Sequence, residues 1–197
     1  MKALILATRA RNWSWERDDF DEKGKLILLY RHQRFLDEGY IGKFVLDIGG
    51  WGKMAFRLAQ EGCEVVLLDL ALNGHHNFNK FESICADAHF LPFQNESFNT
   101  VHSSETLEHV KSAEQVCEEV FRVLKTGGIY CGTVPIPNMT HKLGEEGIRF
   151  FSQSELKELL SEYWIKRIEP TPSIKPVGEL CCSIMFVAEK VGALNEL

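Results

Sequence analysis

The chain has 197 residues, 45% of them hydrophobic and 25% charged, and a formal net charge of -6 at pH 7. This length allows one domain with a substantial core, and the composition excludes a fibrous or disordered chain. The negative charge argues against a nucleic-acid partner, because the average surface would repel a phosphate backbone.

In the first half of the chain, helical and extended patterns alternate. Apolar residues at helical spacing predict a helix over 24–38. A continuous apolar run over 44–48 predicts a strand buried on both faces, and a helix over 54–61 follows it. The runs at 64–69 and 82–87 predict the second and third strands.

The alternation continues in the second half. The pattern predicts a fourth strand over 98–103, a helix over 114–124 and a fifth strand over 129–134. A capping-box pattern at Ser152–Glu155 predicts the start of one more helix, because serine and glutamate at this spacing satisfy the first free amides of a helix.

Two final strands, over 164–169 and 183–188, have no helix between them, so we expect an antiparallel pair at one edge of the sheet. The whole pattern predicts the α/β class: one doubly wound, Rossmann-like domain with a seven-stranded, mostly parallel sheet and an antiparallel strand at one edge. We expect an N-terminal helical cap or flap over 1–42, the main domain over 43–190 and a tail over 191–197.

The six cysteines are scattered, and no pair has the C-x-x-C spacing of a zinc or redox site. No apolar run approaches the ~20 residues that span a bilayer. The apolar stretch near the N-terminus is too short for a signal peptide. We therefore expect a cytoplasmic protein that does not insert into a membrane.

Glycine and aspartate residues follow the first three predicted strands, where ligands bind in doubly wound sheets. Gly49, Gly50 and Gly52 let the chain turn tightly and let a ligand approach the backbone. Asp69 can accept hydrogen bonds from the hydroxyls of a ribose, and Asp87 can accept one from an adenine amino group.

The glycine turn alone does not distinguish a nucleoside ligand from a dinucleotide. Residues 50–55, GWGKMA, also fit the G-x-G-x-x-A pattern of dinucleotide-binding proteins. A nicotinamide-dependent oxidoreductase is therefore an alternative.

Several segments, in the same order along the chain, resemble the motifs of class I S-adenosylmethionine-dependent methyltransferases of the small-molecule type. They are residues 45–52 (VLDIGGWG), 66–70 (VLLDL), 86–93 (ADAHFLPF), 98–101 (FNTV) with 107–110 (LEHV), and 123–128 (VLKTGG). No single motif is specific, but their combination is.

The resemblance implies S-adenosyl-L-methionine as cofactor and a contact for each part of it. The implied contacts are Asp47 with Gly49, Gly50 and Gly52 for the methionine part, Asp69 and Leu70 for the ribose, Asp87 and Ala88 for the adenine, and Ser103 for the sulfonium. The glycine turn departs from the family pattern, since it is one residue short and contains the bulky Trp51. A non-catalytic protein that binds S-adenosylmethionine is therefore a second alternative.

Glu105, Glu108 and His109 are the candidate catalytic or metal-binding residues. Their spacing is expected to place them on one face of a helix after the fourth strand. The pattern E-x-x-E-H resembles that of magnesium-binding O-methyltransferases, which implies a Mg2+ site that His141 could complete. Alternatively, Glu108 and His109 act on the acceptor directly, or the acidic residues only stabilise the start of the helix.

Together these features predict an enzyme that transfers a methyl group from S-adenosylmethionine to an oxygen or nitrogen atom of a small-molecule acceptor.

Overall fold

The computed structural model describes residues 34–49, 53–71, 81–136, 148–171 and 183–192. Within these ranges the strands are β1 (Phe44–Ile48), β2 (Glu64–Asp69), β3 (Glu82–Cys85), β4 (Phe98–Ser104), β5 (Leu124–Pro135), β6 (Trp164–Pro170) and β7 (Ser183–Glu189). The helices are α1 (Lys53–Gln60), α2 (Ala113–Val123) and α3 (Gln153–Leu159), and a 3-10 turn spans Leu107–His109. In the same ranges, no helix is both long and apolar enough to cross a membrane.

The seven strands form one sheet in the order β3-β2-β1-β4-β5-β7-β6. The pairs from β3 to β5 are parallel, and β7 is antiparallel to both β5 and β6. The predicted α/β class and mostly parallel sheet are confirmed. The antiparallel strand lies second from the edge, because the chain places β6 outermost and returns with β7 between β5 and β6.

The strand order reverses between β1 and β4. The chain builds outward from β1 to β3, crosses back and continues from β4 toward the other edge. Such a reversal opens a crevice at the carboxyl ends of the two central strands, where ligands of doubly wound folds bind.

The crossing from β3 to β4 contains no helix between residues 86 and 97. Side chains of α2 hold this segment instead. The Arg122 guanidinium donates to the carbonyl oxygens of Leu91 and Phe93 over 2.9 and 2.7 Å, and Glu119 Oε2 accepts the Leu91 amide over 2.7 Å. The anchored segment places residues 86–90 at the sheet edge.

The core has one layer on each face of the sheet. On one face, α2 and α3 cover a cluster that includes Leu46, Val101 and Tyr130. On the other face, α1 covers a cluster that includes Val45 and Phe35. Phe35 belongs to the described end of the predicted N-terminal helix, which is helical over 34–37.

The prediction of a helix that carries Glu105, Glu108 and His109 on one face is wrong, because no such helix forms. Glu105 has a φ of 53°, and its amide donates to the Thr133 carbonyl over 2.8 Å, so it continues the contact with β5. A residue with positive φ interrupts a right-handed helix. Only the 3-10 turn follows, and α2 begins later with Ser112 as its N-cap.

Candidate functional site

The carboxyl ends of β1, β2 and β3 meet at one edge of the sheet. Asp69 pairs in register with Cys85, and the Ala86 amide donates to the Asp69 carbonyl over 3.1 Å. The Gly49 amide donates to the Leu68 carbonyl over 2.8 Å. The residues that follow these three strands therefore lie side by side, as the sequence predicts.

The turn after β1 requires glycine at its first position. Gly49 has a φ of 70°, and a Cβ there would lie 2.5 Å from the Thr106 hydroxyl oxygen. That oxygen lies 3.1 Å from the last carbonyl of β1 and 3.1 Å from the last carbonyl of β4. Thr106 thus ties the ends of the two central strands together beneath the turn. Gly50 and Gly52 lie outside the described residues.

Asp47 is fully buried, and both of its carboxylate oxygens bond to the protein. Oδ2 accepts the Ala55 amide of α1 over 3.0 Å, and Oδ1 lies 2.7 Å from Nδ1 of His102 on β4. Asp47 therefore fixes the start of α1 and the neighbouring strand, and it supports the turn from below.

His102 extends this contact to the end of β4. Its Nε2 lies 2.9 Å from the Ser104 hydroxyl, and the Phe35 ring packs edge-on against it with centroids 5.6 Å apart. Our sequence analysis missed His102 and Ser104. Their spacing could have indicated that they act together, because residues two apart on a strand face the same side of the sheet.

Ser103 faces the opposite side of the sheet. Its hydroxyl is buried and lies 3.0 Å from the hydroxyl of Tyr130, whose pKa is raised chiefly by burial. The Ser103 side chain is thus part of the core, and a cofactor contact from this residue would use its backbone.

The ends of β2 and β3 present carboxylates beside exposed apolar side chains. Asp69 Oδ1 accepts the Ala71 amide over 3.0 Å, and its side chain is partly exposed. Leu70 is 69% exposed and Phe90 is 70% exposed, whereas Ala88 is buried. An exposed apolar pair next to carboxylates suits a ligand that has both a flat ring and hydroxyl groups.

A histidine holds Asp87 in place. Asp87 Oδ1 accepts the backbone amide of His89 over 3.0 Å and also contacts Nδ1 of the His89 ring. Nε2 of the ring accepts the Ser112 amide over 3.1 Å, which assigns the ring proton to Nδ1. These bonds lower the pKa of Asp87, the backbone bond most of all.

Glu105 is directed toward the strands of the second half of the sheet. Its Oε1 accepts the hydroxyls of Thr133 over 3.0 Å and of Ser183 over 2.7 Å. The carboxylate thus joins β5 and β7 beyond the end of β4.

The structure does not support the predicted Mg2+ site. The Glu108 side chain is fully buried, whereas the His109 side chain is 51% exposed, and its Nε2 lies 3.7 Å from Glu108 Oε1. In the described part of the chain, no three His, Cys, Asp or Glu side chains are placed to hold a metal ion. The physical reason is the break after β4, which turns Glu105 away from the 3-10 turn. His141 lies outside the described residues.

Comparisons with known proteins agree with this architecture. Residues 46–132 match the family model described as a methyltransferase domain. Over 91 residues the chain is 36% identical to the biotin biosynthesis bifunctional protein BioHC of Cellvibrio japonicus, covering 43% of this chain and 18% of that protein. Over 92 residues it is 35% identical to the demethylmenaquinone methyltransferase of Renibacterium salmoninarum, covering 44% of this chain and 39% of that protein. The matched segments span less than half the length of these two relatives.

Among solved structures, one similar fold is the 1,6-didemethyltoxoflavin-N1-methyltransferase of Burkholderia thailandensis with bound 1,6-didemethyltoxoflavin and S-adenosylhomocysteine. The TM-score is 0.69 at 17% identity, over 90% of this chain and 83% of that one. Residues 46–132 thus match a methyltransferase domain in sequence, and the fold is similar to that of a solved methyltransferase.

Proposed function

We propose that this protein transfers a methyl group from S-adenosylmethionine to an oxygen or nitrogen atom of a small-molecule acceptor. The observation that carries this proposal is the pair of carboxylates, Asp69 and Asp87, at adjacent strand ends beside the exposed Leu70 and Phe90. This set matches the chemistry of an adenine nucleoside, which has two ribose hydroxyls, an exocyclic amino group and an apolar ring face.

The residues present fit the cofactor. In our proposal, Asp69 accepts hydrogen bonds from the ribose hydroxyls, and Leu70 packs beside the ribose. Asp87, held by His89, accepts the adenine amino group, and the Ala88 backbone amide faces the ring. When bound, S-adenosylmethionine supplies a methyl group on a sulfonium centre, which is already activated for displacement.

The turn after β1 takes the methionine part of the cofactor in this proposal. Gly49, followed by Gly50 and Gly52, offers a backbone free of side chains on the ligand side. Asp47 acts from beneath by holding α1, since both of its oxygens are used inside the protein.

We assign the acceptor pocket to the region around the 3-10 turn. His109 is half-exposed there and can contact the acceptor, while the buried Glu108 supports its ring. We propose that residues 43–190 form the methyltransferase domain. Most of the predicted N-terminal cap or flap over 1–42 and of the tail over 191–197 lies outside the described residues. We also propose a cytoplasmic location, since the four cysteines among the described residues carry free thiols.

Isothermal titration with S-adenosylhomocysteine and with NADH tests the cofactor assignment. Asp69→Asn and Asp87→Asn should each weaken S-adenosylhomocysteine binding about tenfold, because each loses a charged acceptor worth roughly 1.5 kcal/mol. Glu64→Gln is the matched control, because Glu64 lies at the other end of β2 in an exposed pair with Lys43. Tight binding of NADH without affinity for S-adenosylhomocysteine would reject the proposal in favour of the oxidoreductase alternative.

A second experiment separates an enzyme from a binding protein. The protein is incubated with S-adenosylmethionine and a panel of alcohols, phenols, amines and heteroaromatic bases, and S-adenosylhomocysteine release is followed by mass spectrometry. Turnover with an oxygen or nitrogen acceptor is the expected result. Cofactor binding with no turnover across the panel would favour the non-catalytic alternative.

A further inference from the structure

Three side chains from the two central strands form a continuous hydrogen-bonded line. Asp47 Oδ1 lies 2.7 Å from His102 Nδ1, and His102 Nε2 lies 2.9 Å from Ser104 Oγ. Asp47 and His102 are paired in register between β1 and β4, and Ser104 follows two residues later. All three therefore lie on one face of the sheet.

The hydrogen bonds assign the protons along this line. An ionised carboxylate only accepts, so the His102 proton lies on Nδ1 and is donated to Asp47. With the ring proton on Nδ1, Nε2 accepts the hydroxyl proton of Ser104. This is the same order of carboxylate, imidazole and hydroxyl in which the imidazole of a hydrolase takes the proton of the serine hydroxyl.

The line opens to the candidate site only at Ser104. Asp47 is 0% exposed and His102 is 1% exposed, whereas Ser104 is partly exposed. Thr106 ties the Ser104 carbonyl to the end of β1, directly below the Gly49 turn. The hydroxyl of Ser104 thus lies at the switch point, beside the turn that we assign to the cofactor.

We propose that Ser104 is a catalytic residue that takes the proton from the methyl acceptor and passes its own proton to His102; this rests on the proposed function above. The acceptor X–H bond breaks toward Ser104 Oγ as X bonds to the methyl carbon that a bound cofactor would supply, and the bond of that carbon to sulfur would break with its electron pair left on sulfur. At the same time the Ser104 O–H proton moves to His102 Nε2. The proton that His102 receives makes its ring an imidazolium, which Asp47 stabilises, and the proton then leaves to water.

The surroundings of His102 favour this role. Its neighbour across β4 and β5 is Cys131, and burial, followed by the charge of Asp47, raises the pKa of that thiol. The thiol therefore stays protonated and does not compete for the proton. Phe35 packs against the ring, and both side chains are buried from water.

The proposal narrows the acceptor class. A serine that accepts a proton is needed for an alcohol or phenol, and it is not needed for a nitrogen base that carries no proton. We therefore infer an acceptor whose reacting oxygen or nitrogen bears a removable proton. Ser104→Ala should lower kcat for such an acceptor by about 10²–10⁴ and leave cofactor affinity unchanged.

Covalent labelling tests the activation of Ser104 without any acceptor. Diisopropyl fluorophosphate forms an Oγ–P bond with an activated serine as the P–F bond breaks; fluoride leaves and the hydroxyl proton passes to the histidine. We expect peptide mass spectrometry to find the label on Ser104 in the parent protein. His102→Asn keeps a donor for Asp47 but has no basic nitrogen, so it should label at least about 100-fold more slowly.

Ser97→Ala is the matched control, because it removes one hydroxyl bond, to the Gln94 carbonyl, just before β4. It should label at Ser104 at the parental rate. No label on Ser104, or an equal rate in His102→Asn, would overturn the proposal. If the parent protein does not bind S-adenosylhomocysteine, the proposed function is rejected. The labelling experiment still reports separately whether Ser104 is activated.

Nitrogen-15 NMR of the full chain gives an independent readout. The His102 ring should carry its proton on Nδ1 in the parent protein and in Ser104→Ala, and this signal should vanish in His102→Asn. A proton on Nε2 of the parent ring would overturn the proposal, because that nitrogen could then accept nothing from Ser104.

Discussion

Replacing His89 tests whether this residue positions Asp87 for cofactor binding. His89→Ala removes two hydrogen bonds of the ring, one to the Asp87 carboxylate and one from the Ser112 amide. The His89 side chain is 12% exposed and that of Asp87 is 45% exposed. Water can therefore replace more of the bond to the Asp87 carboxylate than of the bond from the Ser112 amide.

The expected loss follows from these contacts. A bond to a charged group contributes about 1.5–3 kcal/mol and a neutral one about 0.5–1.5 kcal/mol, before solvent replacement. Because the Asp87 carboxylate is partly solvated, we expect His89→Ala to lower the free energy of unfolding by about 1–2 kcal/mol and Tm by roughly 3–6 °C. A freely rotating Asp87 should also weaken S-adenosylhomocysteine binding about fivefold, which corresponds to about 1 kcal/mol.

Two further variants separate binding from stability. His89→Asn can still donate to Asp87 but does not reach Ser112, so it should lose stability and keep its affinity within about twofold. Ser112→Ala removes the cap bond to the Gln115 amide of α2, worth about 1 kcal/mol, and leaves Asp87 held. The assay is calorimetric titration of S-adenosylhomocysteine together with thermal unfolding. If Ser112→Ala weakens binding as much as His89→Ala does, the affinity change reflects stability alone and the positioning role is refuted.

Two more variants test the turn and the surface charges. Gly49→Ala should lower the free energy of unfolding by at least about 3 kcal/mol. Gly39→Ala is the control and should lower it by about 1 kcal/mol, because Gly39 has the same φ of 70° but a Cβ there would have no atom within 4 Å. Equal losses in the two variants would show that the clash with Thr106 is unimportant. Bonds to Arg149, its own backbone and Ser112 lower the pKa of Glu114 from 4.5 to about 2. The resulting stability is fully present above pH 4.5 and is lost as the pH falls toward 2. Because both side chains are about half exposed, the effect should stay below about 1 kcal/mol, and Glu114→Gln should abolish it in acid titrations followed by circular dichroism.

The strands, and the polar or glycine residues at the ends of three of them, could be predicted from the amino-acid sequence. Continuous apolar runs such as 64–69 indicate burial on both faces, and the parallel sheet provides that environment. Asp69 and Asp87 could be placed at strand ends because each is the last residue of a predicted strand. Gly49 could be singled out because a tight turn after a strand needs a residue without Cβ.

Which polar side chains meet became known from the folded structure. Asp47 and His102 are 55 positions apart, and their contact depends on the register between β1 and β4, which no local pattern encodes. Alternation along β4 directs Ser103 toward Tyr130 in the core and Ser104 toward the side of His102, but the two partners are known only from the folded chain. Local spacing predicted a helix through Glu105, but pairing with β5 at a positive φ prevents it. Periodicity reports which residues of one segment share a face, whereas the partner of that face depends on the folding of the whole chain.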